Sequence, residues 1–324
     1  MSLVCEKIET PKSFHLQNPE RPKKRALVLS GGSAQGAFQA GVLSEIDQEY
    51  DAVFGASAGA LNAMLISTVT RQMIADTWME IAERSEDFIR SRVLRKDGSI
   101  NWVGGFIYLL LNWPVDAIYD NKGLEDELYD ILMTRQPSTP CFIEVTLANG
   151  YTSRIIDLNK AATVEDQVNI LLGSSALPAA FPPVEKFEMQ DGTVYQNIID
   201  GGLGSKSTLS YAVSYIKEQD DPDNWEIDII KTDNSSIQPF GQSPKHAVGY
   251  AIRAIDILLN NNRSRDLALF FERNASRTWP AFDIRVIEPE GVLTSPLDFT
   301  RRALMASFFH GVEIAKNLNQ EAND

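Results

Sequence analysis

Tyr50-Asp51-Ala52-Val53-Phe54-Gly55-Ala56-Ser57-Ala58-Gly59-Ala60-Leu61-Asn62-Ala63-Met64 decides how the rest of this chain is read. Ala52 to Phe54 form a short apolar run suited to a strand. The stretch then continues as Ala-, Leu- and Met-rich helix-forming sequence. Between the two lies Gly55-x-Ser57-x-Gly59. A strand that turns sharply into a helix holds its turn residue in a strained conformation. Small residues two positions either side let the chain close without clashes. The turn side chain then projects from the end of the sheet, at a helix N-terminus whose amides and dipole favour developing negative charge. Ser57 is therefore a candidate nucleophile. A tight strand–helix turn with an incidental serine is the plain alternative, because short Gly/Ser patterns also arise by chance.

Upstream, Ala26-Leu27-Val28-Leu29-Ser30 suits a buried parallel strand and runs into Gly31-Gly32-Ser33-Ala34-Gln35-Gly36. A helix is predicted from Ala37 to about Gln48. The chain thus opens as strand, Gly-rich turn, helix, strand, Ser-bearing turn, helix. That order builds a right-handed crossover with both turns at one sheet edge. The Gly-rich turn lacks the Lys-Ser/Thr of a phosphate-binding loop, since Ala37-Phe38 follows it, and it lacks the G-x-G-x-x-G dinucleotide pattern. Free backbone N–H groups beside Ser57 would instead form an oxyanion hole, with Gly31, Gly32, Ser33 and Ala34 as the candidate residues. An ordinary strand–helix turn is the alternative. A backbone hole tolerates Ser33 provided its φ is negative.

Downstream, Ile198-Ile199-Asp200-Gly201-Gly202 places an aspartate at a strand end, before two glycines that permit close backbone approach. A turn-forming Asp is common. The functional reading makes Asp200 a general base for Ser57. His15, His246 and His310 are scattered and none lies near either motif, so a Ser-His-Asp triad has no middle member and Asp200 must act directly on the hydroxyl. Between the motifs, helices are predicted over Leu61–Thr68, Arg71–Arg84, Leu124–Thr134 and Val164–Leu172. Strand pairs are predicted around Asn149-Gly150 and Asp191-Gly192. The uncharged stretch from Trp102 to Trp113 is too short to span a bilayer; it reads as a core helix, or as an acyl-pocket wall or lipid-facing lid. Beyond Thr208 the chain alternates again: helix to Lys217, strand Trp225–Lys231, helices Pro244–Asn260 and Arg265–Arg273, strand Phe282–Ile287, and a closing helix from Pro296 to about Lys316.

The 324 residues, 44% hydrophobic, can bury a large core. The formal net charge of −14 removes any general attraction for nucleic acid or anionic membranes. Docking on a lipid surface would need an apolar patch. Cys5 and Cys141 cannot build a disulfide framework, which fits a reducing compartment. There is no metal-ligand cluster, and no apolar N-terminal run suggests a signal peptide. Residues 1–23 read as an irregular lead-in. Residues 24–324 read as one α/β domain with a helical C-terminal part from about residue 235.

In order and spacing, the Gly-rich turn, Gly55-Ala56-Ser57-Ala58-Gly59-Ala60-Leu61-Asn62, the proline loop ending Phe181-Pro182-Pro183-Val184 and Asp200-Gly201-Gly202 together resemble the patatin-like phospholipases. The resemblance covers roughly Lys24 to Ser210. It implies a three-layer fold with a mostly parallel central sheet, and a serine hydrolase acting on carboxylic esters. It further implies a lipid acyl hydrolase, cleaving phospholipids or lysophospholipids through a Ser57–Asp200 dyad, with an oxyanion hole in the Gly-rich turn and no cofactor. The expected partners are a lipid or ester substrate and transient contact with a membrane or micelle surface, in a cytoplasmic setting. A small-ester or thioester hydrolase, or an inactive binding protein keeping the motifs, are the alternatives. The family's turn usually reads Gly-Gly-Gly-x-Arg/Lys-Gly. Here Ser33 replaces the third glycine and Gln35 the cation, which bears on how the loop is anchored.

Overall fold

The computed structural model describes residues 23–91, 117, 119–150, 152–178, 180–204, 207–234, 283–291 and 293–321. Most of the lead-in, the stretch Trp102 to Trp113, and the helices expected over Pro244–Asn260 and Arg265–Arg273 lie outside them. The first described elements are β1 (Lys24–Leu29), α1 (Gly36–Glu45), β2 (Ala52–Ala56), α2 (Ala58–Thr68), α3 (Arg71–Glu83) and the single turn α4 (Ser85–Phe88). A short ribbon, β3 (Arg90–Ser91) with β4 (Tyr119–Asp120), leads to α5 (Lys122–Thr134). Then come β5 (Cys141–Leu147), β6 (Thr152–Asp157), α6 (Val164–Ser174), β7 (Val184–Glu188) and β8 (Val194–Asp200). The described chain ends with α7 (Thr208–Lys217), β9 (Trp225–Ile230), β10 (Asp283–Ile287) and α8 (Arg301–Glu321).

β1 shows why the sheet is buried on both sides. Its Leu27 and Leu29 join the larger core with α1, α2, α3, α5, α6 and α8. Ala26 and Val28 face the other way, onto Leu209, Val213 and Ile216 of α7. A strand sandwiched between helical layers reads as a continuous apolar run, as this one does. β1 pairs in parallel with β2 and with β9, β9 with β10, and β2 with β5. The fold is thus a mostly parallel sheet flanked by helices, as expected for an α/β protein.

The exception to parallel pairing builds the site. β6 runs antiparallel to β5 and fills one edge of it, opposite Phe142 to Leu147. The other edge is shared. β2 occupies it up to Ala56↔Glu144, and β8, antiparallel, takes over at Asp200↔Val145. β2 and β8 therefore meet C-terminus to C-terminus beside one strand, about one residue rise (roughly 3.3 Å) apart along it.

Three boundaries differ from the sequence reading. α1 stops at Glu45 because Ile46 adopts φ −72°, ψ 126° and turns into the core. β8 is continuous where two pieces were expected; Asn197 absorbs the irregularity at φ 57°, a region Asn tolerates better than most residues. The closing helix starts at Arg301, not Pro296. Pro296 lies in a turn, and Thr300 supplies the cap, its Oγ1 accepting from the Ala303 amide at 3.4 Å. No helix among the described residues is long and apolar enough to cross a membrane.

Candidate active site

Ser57 ends β2 and caps α2 with φ 55°, ψ −128°. That conformation costs a non-glycine residue about 1–3 kcal/mol and persists only where its surroundings hold it. The flanking glycines are required for space. A Cβ on Gly55 would meet the Gly59 carbonyl oxygen at 2.3 Å, and one on Gly59 would meet the Leu29 oxygen at 2.3 Å. The turn is also tied down from below. The Ser57 amide donates to Ser174 Oγ (3.0 Å), and that hydroxyl donates to the Glu144 carbonyl (2.6 Å). Ser174, fully buried at the end of α6, thus fixes the elbow to β5. Sequence reasoning passed over it, because one serine in Gly173-Ser174-Ser175 carries no mark of its role.

Asp200 is 1% exposed and sits on the same edge of β5 as Ser57. Its Oδ1 accepts from the Gly202 amide at 2.9 Å, and its own amide donates to the Ala176 carbonyl at 3.0 Å. The first bond orients the carboxylate, and the second fixes the strand end that carries it. Gly201 has no room for a side chain: a Cβ would lie 2.1 Å from the Glu144 oxygen. The Asp-Gly-Gly signature is thus the means by which β8 closes on β5.

The Gly-rich turn takes an unexpected form. Ser33 has φ 50°, not the negative value on which a hole at this turn was expected to depend; its N–H remains a main-chain donor, held in a conformation that costs about 1–3 kcal/mol. Gly32, at φ 163°, is merely extended; it is needed because a Cβ there would meet Thr232 Oγ1 at 2.4 Å. Thr232 Oγ1 donates to the Gly31 carbonyl, and the Gln35 amide donates to the Gly32 carbonyl at 3.0 Å. These contacts force the turn that Ser33 must complete. The Ala34 amide donates to the Pro296 carbonyl at 2.9 Å, so among the four candidate residues its N–H is already engaged. Gln35 Nε2 donates to the Thr294 carbonyl at 2.8 Å.

Behind the loop lies a buried polar network that sequence reasoning also missed. Trp78 Nε1 donates to Asn62 Oδ1 (2.9 Å), and Asn62 Nδ2 donates to the Gly36 carbonyl (2.9 Å) and to Gln39 Oε1 (3.1 Å). Gln39 Nε2 donates to the Ser30 and Ile230 carbonyls (2.8 and 2.9 Å). Gln39 and Asn62 are fully buried. A network satisfied at every amide rigidifies what it joins, here α1, α2, α3 and the ends of β1 and β9. The available signal was one amide side chain in each of two otherwise apolar helices.

Ser57 and Ser33 both line a pocket of about 850 Å³. Leu61, Met64 and Leu65 of α2 form one wall, Trp78 and Ile81 of α3 a second, and Leu124, Leu128 and Ile131 of α5 a third. Phe181, Phe299 and Leu304 complete it. Phe299 stands edge-on to Tyr119 and Phe181, with ring centroids 5.9 and 6.0 Å apart. An apolar cleft with a few convergent polar groups is the usual form of a ligand site. Among the described residues Glu127 is the one carboxylate on the lining, and partial burial, with Glu80 and Asp130 nearby, raises its pKa.

A mostly parallel sheet thus carries Ser57 at a strained strand–helix turn that opens on an apolar pocket. The chain belongs to the patatin-like phospholipase family, whose model matches residues 27–213. That family is one of lipid acyl hydrolases. The match ends inside α7, so β9, β10, the segment from Leu293 to Thr300 and α8 lie beyond it. A search of curated proteins found no match.

Proposed function

We propose that this protein hydrolyses fatty-acyl esters of phospholipids or lysophospholipids through Ser57 and Asp200. Asp200 accepts the Ser57 proton as Oγ attacks the ester carbonyl, and the amides of Gly32 and Ser33 hold the developing oxyanion. The alkoxide leaves, taking a proton from Asp200, and an acyl-Ser57 ester remains. Water, deprotonated by Asp200, then attacks that ester and releases the fatty acid, restoring Ser57. The observation that carries this reading is the head-on meeting of β2 and β8 on one edge of β5, beside an apolar pocket lined by Ser57. The apolar walls favour an acyl chain over a small polar ester. Contact with a membrane or micelle surface follows from such a substrate. We also take residues 24–324 as one hydrolase unit, since β10 extends the same sheet and α8 packs on α1.

Ser57→Ala and Asp200→Asn are each expected to lower kcat by about 10⁴-fold while leaving the circular dichroism spectrum unchanged. If the two act as a unit, the double variant is little worse than either single one. Mass spectrometry of fatty acids and lysolipids released from a mixed phospholipid panel identifies the bond cleaved. Near-normal turnover by folded Ser57→Ala would refute the assignment, and turnover confined to soluble short-chain esters would favour a small-ester hydrolase.

A further inference from the structure

The four residues around the strained turn are gripped from outside the family-matched region. Two main-chain carbonyls of the segment from Leu293 to Thr300 reach consecutive residues of the Gly-rich loop: Pro296 takes the Ala34 amide at 2.9 Å and Thr294 takes the Gln35 side chain at 2.8 Å. The same segment continues into Phe299, which lines the pocket beside Ser57, and then into the cap of α8. Ser33, at φ 50°, lies immediately before these two anchored residues.

A serine held at positive φ relaxes unless its neighbours over-determine it. On the upstream side Thr232 blocks Gly32 and bonds Gly31. On the downstream side the residues next to Ser33 are held outward by the two bonds to Pro296 and Thr294, with the Asn62 bond to the Gly36 carbonyl following them. The Ala34 bond is main chain to main chain and is indifferent to sequence. The Gln35 bond depends on a side chain that can donate. Its acceptor is a neutral carbonyl, so a neutral amide suffices where a cation is usual at this position of the motif.

We propose that Gln35 is a positioning residue that latches the oxyanion loop onto the Leu293–Thr300 segment through the Thr294 carbonyl. The inference rests on the reading of the loop as an oxyanion hole. The latch holds the Ser33 amide in its strained orientation, and it makes the loop and the Phe299 wall of the pocket a single rigid piece. Oxyanion donors act on the transition state, so loosening them lowers kcat and leaves KM nearly unchanged.

The test uses the full chain with Gln35→Met, which keeps length but cannot donate, and Gln35→Lys, which restores a donor. Two readouts are taken: kcat and KM on a chromogenic ester, per site titrated with a fluorophosphonate, and amide hydrogen exchange of peptides covering residues 31–36. Gln35→Met is expected to lower kcat about 10–100-fold, with KM within about threefold, because a small misplacement of a catalytic group costs up to about 10². Exchange over the loop should rise about tenfold or more. Gln35→Lys should recover both to within a few-fold. Unchanged exchange in Gln35→Met, or a kcat loss that Gln35→Lys does not recover, overturns the proposal. If the wild-type protein turns over no ester, the hydrolase reading has failed, and the exchange comparison alone then decides the latch.

Discussion

Ser33 and Ser57 are both held at positive φ, 50° and 55°, and the cost of each falls on a residue lining the pocket. On the proposed mechanism it is the amide of Ser33, not its side chain, that the site uses. Replacing it by glycine removes strain of about 1–3 kcal/mol and adds unfolded-state entropy of about 0.4–1 kcal/mol. Ser33→Gly is therefore expected to raise stability by about 1 kcal/mol in urea unfolding, with turnover within roughly tenfold of wild type. A loss of stability would mean that the serine side chain itself supports the loop. The two strained residues were not equally legible. Gly55-x-Ser57-x-Gly59 announces a tight turn by its spacing, with Gly55 demanded by the Gly59 carbonyl inside the turn and Gly59 by the Leu29 carbonyl of β1. Nothing in Gly31-Gly32-Ser33 announces the conformation of Ser33, which is imposed by Thr232 and Pro296 from distant parts of the chain. Cys141 is plainer: burial pushes its thiol up to about 12, leaving it a packing residue of β5.

Among the described elements, α1 and α8 approach backbone to backbone. A Cβ on Gly41 would lie 2.0 Å from the Phe308 carbonyl oxygen, and one on Gly311 would lie 2.1 Å from that of Phe38. The helices touch backbone to backbone, so a side chain at either glycine must drive them apart. Gly311→Val is expected to destabilise by about 3 kcal/mol, at the upper end of overpacking, and thermal denaturation measures it. A melting temperature equal to wild type would show that α8 can shift without loss. Most elements could be read in advance, from apolar runs bounded by turn residues. Both hairpins formed at their Asn149-Gly150 and Asp191-Gly192 signals, with Gly192 at φ 82°. The start of α8 could not, because Pro296 looks like a first helical residue, while Asp298 and Thr300 make the stronger cap four residues later.

At the scale of the whole molecule, the pocket is a gap among helices on one face of the sheet, and those helices share no sequence signal. Leu61 stands one helical turn beyond Ser57 on α2 and is only partly buried. Leu61→Trp should block the groove close to the serine. The expected result is a loss of about tenfold or more on long-chain esters relative to short ones, read from kcat/KM across a chain-length series. An equal loss on both, with a lowered melting temperature, would mean that Leu61 is ordinary core. The crossover, the serine turn and the aspartate strand were legible because each depends on residue types at fixed spacing. The part played by residues beyond 213 was not. Thr294 and Pro296 act through carbonyl oxygens, which every residue carries, so no side chain could mark them. Gln35, the partner of Thr294, precedes it by 259 residues. At about 5–20 residues per second, a ribosome takes on the order of 13–50 s to travel that far. Throughout that interval Ser57 and then Asp200 emerge and can begin to fold, while the loop between them and catalysis still lacks its outer hold. On the proposed latch, the loop gains its outer hold only once the segment from Leu293 to Thr300 has been made, beyond the region that the family model matches.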